Sequence, residues 1–382
     1  MISLYIHIPF CASRCPYCDF ATAPATSALR SRYMAGLRAE IAREGHFLGR
    51  PPVATVYVGG GTPSLLEPAE IASLASEVRA AFDLRLGEAT FEANPATLDR
   101  TRLQAWRQFG ITRISLGAQS LDERGLRALG RTHQAADVAP AVEAARSCGF
   151  DVNLDLIFGW PGQTPSDWEL DLDRALALGP DHLSAYPLEL ALEPDEGAAN
   201  WPGGWPAVER WRRDAHERQP DDDAVAALYQ IAERRLARAG YRHYEIANWA
   251  RPGKRSRHNL VYWRGGDWLG VGAGAHSHLG GVRSRNAGAL VPYLERIEGG
   301  CARILEPSDA PSEAAMLALR LDDGLDLARH AARFGRPHTE RIRAALRSLD
   351  GARLLRWSGQ RVRLTPRGRL LANEVFVRLL PD

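Results

Sequence analysis

One lysine, Lys254, stands among 48 basic residues. The rest are arginines, which reads as a bias of composition and not as a binding surface. Charge of a single sign is also missing. Forty-eight basic against 46 acidic residues leave a net charge of +2, so nucleic acid is not an expected partner. No apolar run reaches the roughly 18 residues of a membrane span. The start, MISLYIHIPFC, lacks the charged n-region, apolar core and cleavage site of an export signal. The chain is therefore expected in the cytoplasm, where thiols stay reduced. Cysteine is scarce, five in 382 residues, and a disulfide framework is not expected.

What is present is uneven. Three of the five cysteines fall within HIPFCASRCPYCDF, residues 7–20. Cys11, Cys15 and Cys18 follow C-x3-C-x2-C. Structural zinc takes four ligands, so a zinc loop would need His7 or a distant residue as the fourth. Three thiolates on one loop also suit a four-iron cluster that keeps one iron open to a small chelating ligand. Cys148 and Cys301 lie far away and read as packing residues.

With 45% hydrophobic and 25% charged residues, the chain is expected to fold as one large α/β domain with a smaller one. Six β-rich runs occupy 3–8, 55–60, 89–94, 113–120, 151–159 and 182–190. Helix-like segments near 27–46, 67–82, 99–109, 134–148 and 165–178 alternate with them. This alternation predicts βα units with a parallel sheet, and right-handed crossovers put every strand's C-terminal end on one face. The cysteines, Gly59–Pro63, Glu92, Gln119 and Asp155 all fall at or near such ends, which predicts one shared cavity.

The expected organisation is a six-unit βα barrel over 1–195, then a linker or insertion over 196–222. An accessory region over 223–310 follows, then a small helical unit over 311–382. The last unit holds LLRWSGQRVRLT, a predicted hairpin, and reads as winged-helix-like. The insertion carries Trp201, Trp205 and Trp211 among arginines and has no assigned role.

C-x3-C-x2-C after the first strand resembles the signature of radical SAM enzymes. The match narrows with YIHIPFC, GGGTP at 59–63, the Glu92-Ala93-Asn94-Pro95 turn, SLGAQS at 115–120, Arg131-Thr132-His133 and NLDLIFGWPGQT at 153–164. In this order they are similar to the oxygen-independent coproporphyrinogen III oxidase family. The resemblance implies a partial (βα)6 TIM-type radical SAM barrel. It also implies a [4Fe-4S] cluster on Cys11, Cys15 and Cys18, with S-adenosylmethionine on the open iron. Tyr5, Gly60, Gly61, Thr62 and Glu92 would hold that cofactor or its methionine end. Tyr17, Gln119, Arg131 and Asp155 would line the adjacent adenosine region. From the residues alone, Arg131 and Asp155 could instead form an ordinary ion pair.

The family has an oxidase branch and a haem-chaperone branch. The oxidase pattern continues to a fourth cysteine, where this chain has Phe20, and carries an extension before the cysteines, which is not expected here because Cys11 leaves no room for it. His258-Asn259-Leu260-Val261-Tyr262-Trp263 instead resembles the H-N-x-x-Y-W motif of the chaperone branch. The resemblance then implies haem as bound cargo, held through His258, with His276 and His278 as competing ligands. An acceptor haemoprotein, an electron donor for the cluster, a homodimer and peripheral work at the inner membrane surface belong to the same implication. Read alone, the six residues would form a β-hairpin with a core Tyr-Trp pair and a structural histidine.

Overall fold

The computed structural model describes residues 1–190, 200–201, 204–300 and 303–380, so Cys301 lies outside the described residues. The first strand, β1 (Ile2–Ile8), runs into the cysteine loop. Two short strands paired in parallel, β2 (Phe10–Cys11) and β3 (Ala23–Pro24), close that loop at its base. Strands β4 (Pro52–Gly60), β5 (Asp83–Ala93), β6 (Arg113–Gln119), β7 (Asp151–Phe158) and β8 (His182–Pro187) follow. Together with β1 they pair in chain order, all parallel. The helices between them are α1 (Ser27–Phe47), α2 (Pro68–Ala81), α3 (Arg100–Phe109), α4 (Glu123–Ala128), α5 (Val138–Ser147) and α6 (Pro165–Ala177).

The cause is visible in the strands. Ile6, Val56, Phe91, Leu116 and Leu154 have no exposed surface, because a parallel sheet covered by helices buries both faces. Helix starts are equally local. Asp99 caps α3 by accepting from the Arg102 N–H at 2.8 Å, and Thr164 caps α6 in a box with Asp167. The third strand starts six residues before the expected Ala89. Leu84 and Leu86 pack on the core, but Gly87 interrupts the apolar run that a sequence reading follows. Gly87 leaves room for a guanidinium: a Cβ there would stand 2.7 Å from Arg257 Nη1.

Residues after the sixth unit form α7 (Gly204–Glu217) and α8 (Asp222–Arg238). Strands β9 (Arg242–Glu245) and β10 (Asn248–Ala250) then add antiparallel to the β8 edge. Helix α9 (Arg257–Trp263) comes next, then β11 (Trp268–Val271), which pairs in parallel with β1. Strands β12 (His276–Leu279), β13 (Val282–Arg285) and β14 (Ile304–Glu306) extend that edge, with α10 (Leu290–Glu298) packed on α1. One sheet of 12 strands results.

The HNLVYW segment is helix α9, not a hairpin. Ser256 caps it by accepting from Asn259 N–H at 3.2 Å, and the buried Glu88 carboxylate accepts from Arg257 and His258 N–H at 3.1 and 3.0 Å. A carboxylate at a helix N-terminus outweighs the strand preference of Val261, Tyr262 and Trp263.

The last unit has its own core of Leu319, Ile342, Leu346, Val362 and Val375. It comprises α11 (Ala310–Arg320), β15 (Leu325–Asp326), α12 (Leu327–Phe334) and α13 (Arg336–Arg347), then β16 (Leu355–Ser358) and β17 (Arg361–Leu364). Strands β16 and β17 form the expected hairpin across Gly359, whose φ is +58°. Two short helices, α14 (Pro366–Leu370) and α15 (Ala372–Val377), end the described chain.

Candidate cofactor site

The C-terminal ends of the barrel strands open on one cavity of about 1510 Å³. Its lining includes Cys11, Cys15, Tyr17, Cys18, Gly60, Gly61, Thr62, Glu92, Gln119, Arg131 and Asp155. Of the cofactor residues expected from sequence, Tyr5 alone stands behind this wall, donating its O–H to His7 Nδ1 at 2.9 Å.

The cysteine loop is tied at both ends. His7 Nε2–H donates to Ala21 O at 2.8 Å, and Tyr33 O–H donates to His7 O at 2.7 Å. Burial holds the His7 ring neutral, with its pKa lowered to about 4. Thr62 O–H points to Cys11 Sγ at 3.4 Å and Arg131 Nη1 to Cys15 Sγ at 3.4 Å. All three thiols are free, and burial pushes Cys11 up to about 11 and Cys18 up to about 12. Thiolates there call for a positive partner, and the donors aimed at two of the sulfurs fit metal-bound thiolates. No three His, Cys, Asp or Glu side chains among the described residues close around a single ion. A polynuclear cluster takes one thiolate per iron and asks the three sulfurs to share a wall, not to meet at a point.

The glycine run packs against this loop. Gly60 has φ +116°, and a Cβ on it would stand 2.5 Å from the His7 ring. A Cβ on Gly61 would stand 2.7 Å from Pro9 O. Gly60 N–H donates to Glu92 Oε2 at 2.9 Å and Gly61 N–H to Ile8 O at 2.8 Å. With both amides spent, what the run offers an amino group is carbonyl oxygen.

Glu92 accepts from Tyr57 O–H at 2.7 Å. Burial raises its pKa to about 7, the Tyr57 bond opposes this, and the nearby Asp155 carboxylate adds to it. Asp155 is likewise raised by burial, against hydrogen bonds from Ser184, Ser115 and Asn153. Two half-buried carboxyls on one wall are poised for a cation. A sulfonium beside them would bring both down. Arg131 and Asp155 do not form the ion pair left open by the sequence. Arg131 turns to Cys15 Sγ and to Gly117 O, the latter at 3.0 Å. Gln119 ends β6 at φ +63°, a strained conformation for a residue with a side chain, next to a register shift in the strand.

His258 has no exposed surface and does not line the cavity. Its Nδ1 is 2.8 Å from Thr55 Oγ1 and its Nε2 2.7 Å from Tyr262 Oη. Burial lowers its pKa to about 3. While both bonds stand, the expected haem ligand has no nitrogen left for iron. His276 is exposed on β12, with Nδ1 3.1 Å from Glu306, and His278 lies against Trp268, ring centroids 5.1 Å apart and planes tilted by 32°.

One residue escaped the sequence reading. Arg212, on α7 in the Trp/Arg-rich insertion, has no exposed surface. It donates to Pro16 O at 2.9 Å, to Cys18 O at 3.1 Å and to the Asp19 carboxylate. Asn200 Nδ2 and Trp201 Nε1 donate to Thr22 O at 3.0 and 3.1 Å. The described part of the insertion is a strap across the cysteine loop. Local sequence offers no signal for this, because the partners lie about 180 to 196 positions away.

Residues 5–175 match the Radical SAM superfamily, and residues 305–371 match the HemN C-terminal domain. The fold is similar to the solved coproporphyrinogen III oxidase HemN of Escherichia coli, with TM-score 0.83 and 24% identity over 99% of this chain and 89% of that one. In sequence the chain is 40% identical to "Heme chaperone HemW" of Mycobacterium tuberculosis (strain H37Rv), over 99% of this chain and 94% of the relative. It is 33% identical to that of Bacillus subtilis over the full length of both. The one of Escherichia coli is 35% identical over 84% of this chain and 82% of its own length. A barrel with three thiols on its first loop, a HemN-type C-terminal unit and end-to-end likeness at this level lead to one conclusion: the chain belongs to the HemW family of radical SAM proteins.

Proposed function

We propose that this chain is a haem chaperone, binding haem and passing it to an acceptor haemoprotein. The observation that carries this is the match to the HemW relatives along the whole chain and nearly all of theirs. Membership of the superfamily implies a [4Fe-4S] cluster and S-adenosylmethionine. Cys11, Cys15 and Cys18 would hold the cluster. Gly60, Gly61, Thr62 and Glu92 would hold the methionine end, with Tyr5 supporting His7 behind them. Tyr17, Gln119, Arg131 and Asp155 would face the adenosine.

Bound there, the cluster supplies one-electron chemistry to the sulfonium. The residues of this chain do the rest. Glu92 and Asp155 face the cavity, and a cation bound beside them would favour their ionised forms. Arg131 directs a charged donor at Cys15 Sγ, which would steady that sulfur as a cluster ligand. Cofactor state would govern haem loading or release. The acceptor would be a respiratory haemoprotein met at the inner membrane surface, and an electron donor and a homodimer belong to the same proposal. No helix among the described residues is long and apolar enough to cross a membrane, so such a meeting would be peripheral.

The oxidase reading has support from the HemN-like fold, which carries no reaction by itself. Phe20, 59% exposed on the cavity wall, stands where the oxidase pattern has a fourth cysteine. The test is anaerobic haem titration of the cluster-loaded chain, followed by transfer to an apo-haemoprotein. Saturable binding with transfer supports the chaperone. Conversion of coproporphyrinogen without haem binding would replace it with the oxidase.

A further inference from the structure

The cavity extends well beyond the cofactor wall. At about 1510 Å³ it exceeds the roughly 300–1,000 Å³ of a single small-molecule site. Its outer part is walled by Val225 and Tyr229 of α8 and by Leu370 and Phe376 of the C-terminal helices. These apolar surfaces suit the face of a flat macrocycle. Arg367, exposed at the start of α14, adds a cation at the rim. A propionate can meet a guanidinium there with two parallel hydrogen bonds. The Asp221–Asp223 carboxylates at the start of α8 line the same cavity and would repel propionates, so the two charges select an orientation.

Iron in such a macrocycle takes an axial side chain, most simply an imidazole. Among the described residues lining the cavity, the histidine is His216. It is exposed, on the last turn of α7. Arg212 lies four residues earlier, one turn along the same side of the helix, and is fixed on the cysteine loop. That anchor ties the helix that carries His216 to the backbone of the cysteine loop, beside the cavity that His216 lines. By contrast, His258 is enclosed with both nitrogens engaged, and His276 and His278 lie on the β12 edge outside this lining.

We infer that haem is held in the outer part of this cavity with His216 as its iron ligand. This rests on the haem-chaperone reading, and the test separates the two. Full-length chain, cluster-loaded and anaerobic, is titrated with haem as wild type, His216→Ala and His258→Ala. Absorption spectra are recorded with and without added imidazole, and iron and sulfide per chain confirm that each variant is folded around its cluster. Loss of even an outer partner of a metal site costs roughly 10–100-fold in affinity. His216→Ala should therefore bind haem at least about tenfold more weakly, with a shifted Soret band that imidazole restores. His258→Ala should keep the wild-type band position. If His216→Ala matches wild type, or if His258→Ala shows the imidazole-rescued shift instead, the ligand assignment falls and the chaperone reading stands. If wild type itself binds no haem, the chaperone reading falls and the inference goes with it.

Discussion

Arg212 is buried while Arg213 and Asp214 beside it are exposed, and among the described side chains of α7 it is Arg212 that hydrogen-bonds to the cysteine loop. Replacing it with methionine keeps much of the stem but strips donors from the Pro16 and Cys18 carbonyls. A buried acceptor left unsatisfied costs about 1–3 kcal/mol. Arg212→Met should lower stability by roughly 3 kcal/mol and reduce cluster incorporation, read as iron and sulfide per chain after reconstitution. Normal cluster content would show that the loop orders itself without the strap. Glu92 gives a prediction with a sign. Its pKa is about 7 in the fold against an ordinary 4.5, so the folded state binds the extra proton. Stability from this group is fully present below about pH 4.5 and is lost as pH rises through 7. Glu92→Gln, neutral throughout, should remove that loss. In the cofactor-free chain its melting temperature should gain on wild type between pH 5 and pH 8, by the equivalent of about 3 kcal/mol at most. An unchanged difference across that range would mean that the carboxyl is already ionised at pH 5. That Cys11, Gly60 and Glu92 meet on one wall was legible because a short motif fixes where each strand ends. Arg212 was not, because burial is set by where α7 packs.

Among elements, helix α1 shows how a scaffold reaches a loop. Glu40 has no exposed surface, yet it accepts from Gly272 N–H at 2.8 Å, Asn286 Nδ2 at 2.7 Å and Tyr293 O–H at 2.8 Å. One carboxyl therefore joins α1 to the glycine turn after β11 and to α10. Tyr33, on the same helix, holds His7 O and accepts from Ala273 N–H at 3.1 Å. Glu40→Ala would strand three buried donors. A loss of about 4 kcal/mol is expected in denaturant unfolding, with early release of the glycine turn in amide exchange. A loss below about 1 kcal/mol would show that water enters and replaces the carboxyl. The order of the six parallel strands and five of the helices between them were legible, since apolar runs and caps are local; the short α4 was not expected, and β5 begins six residues early. The edge strands β9 to β14 were not. They are three or four residues long, and their pairing with β8 and β1 is decided by distant neighbours. Helix α9 was misread for the same reason: Glu88, 170 positions from His258, supplies its N-terminal partner.

For the whole molecule, the decisive feature is that the cavity has walls from both ends of the chain. The barrel contributes the thiols and carboxyls, while α14 and α15 contribute Leu370 and Phe376. The C-terminal unit has its own core, and Arg369 ties it to α8 by two hydrogen bonds to Glu233 Oε1, from Nε at 3.0 Å and from Nη2. Both side chains are under one-fifth exposed, so removing one partner costs more than at a surface pair, because it leaves the other charge half-buried and unpaired. A latch in that place couples closure of the unit to retention of whatever fills the outer cavity. Arg369→Ala should loosen the unit without touching the thiols. Cluster content should stay at the wild-type level, while haem release to an apo-haemoprotein scavenger should speed up by roughly tenfold, about 1.4 kcal/mol. The double variant Glu233→Arg with Arg369→Glu re-forms the pair in reverse and should recover most of the slower release. Stopped-flow transfer with all three proteins decides the point. Unchanged rates in Arg369→Ala would place the exit path elsewhere. Faster release in the single variant that the reversal does not rescue would mean that Arg369 acts as a charge on the cargo and not as a latch.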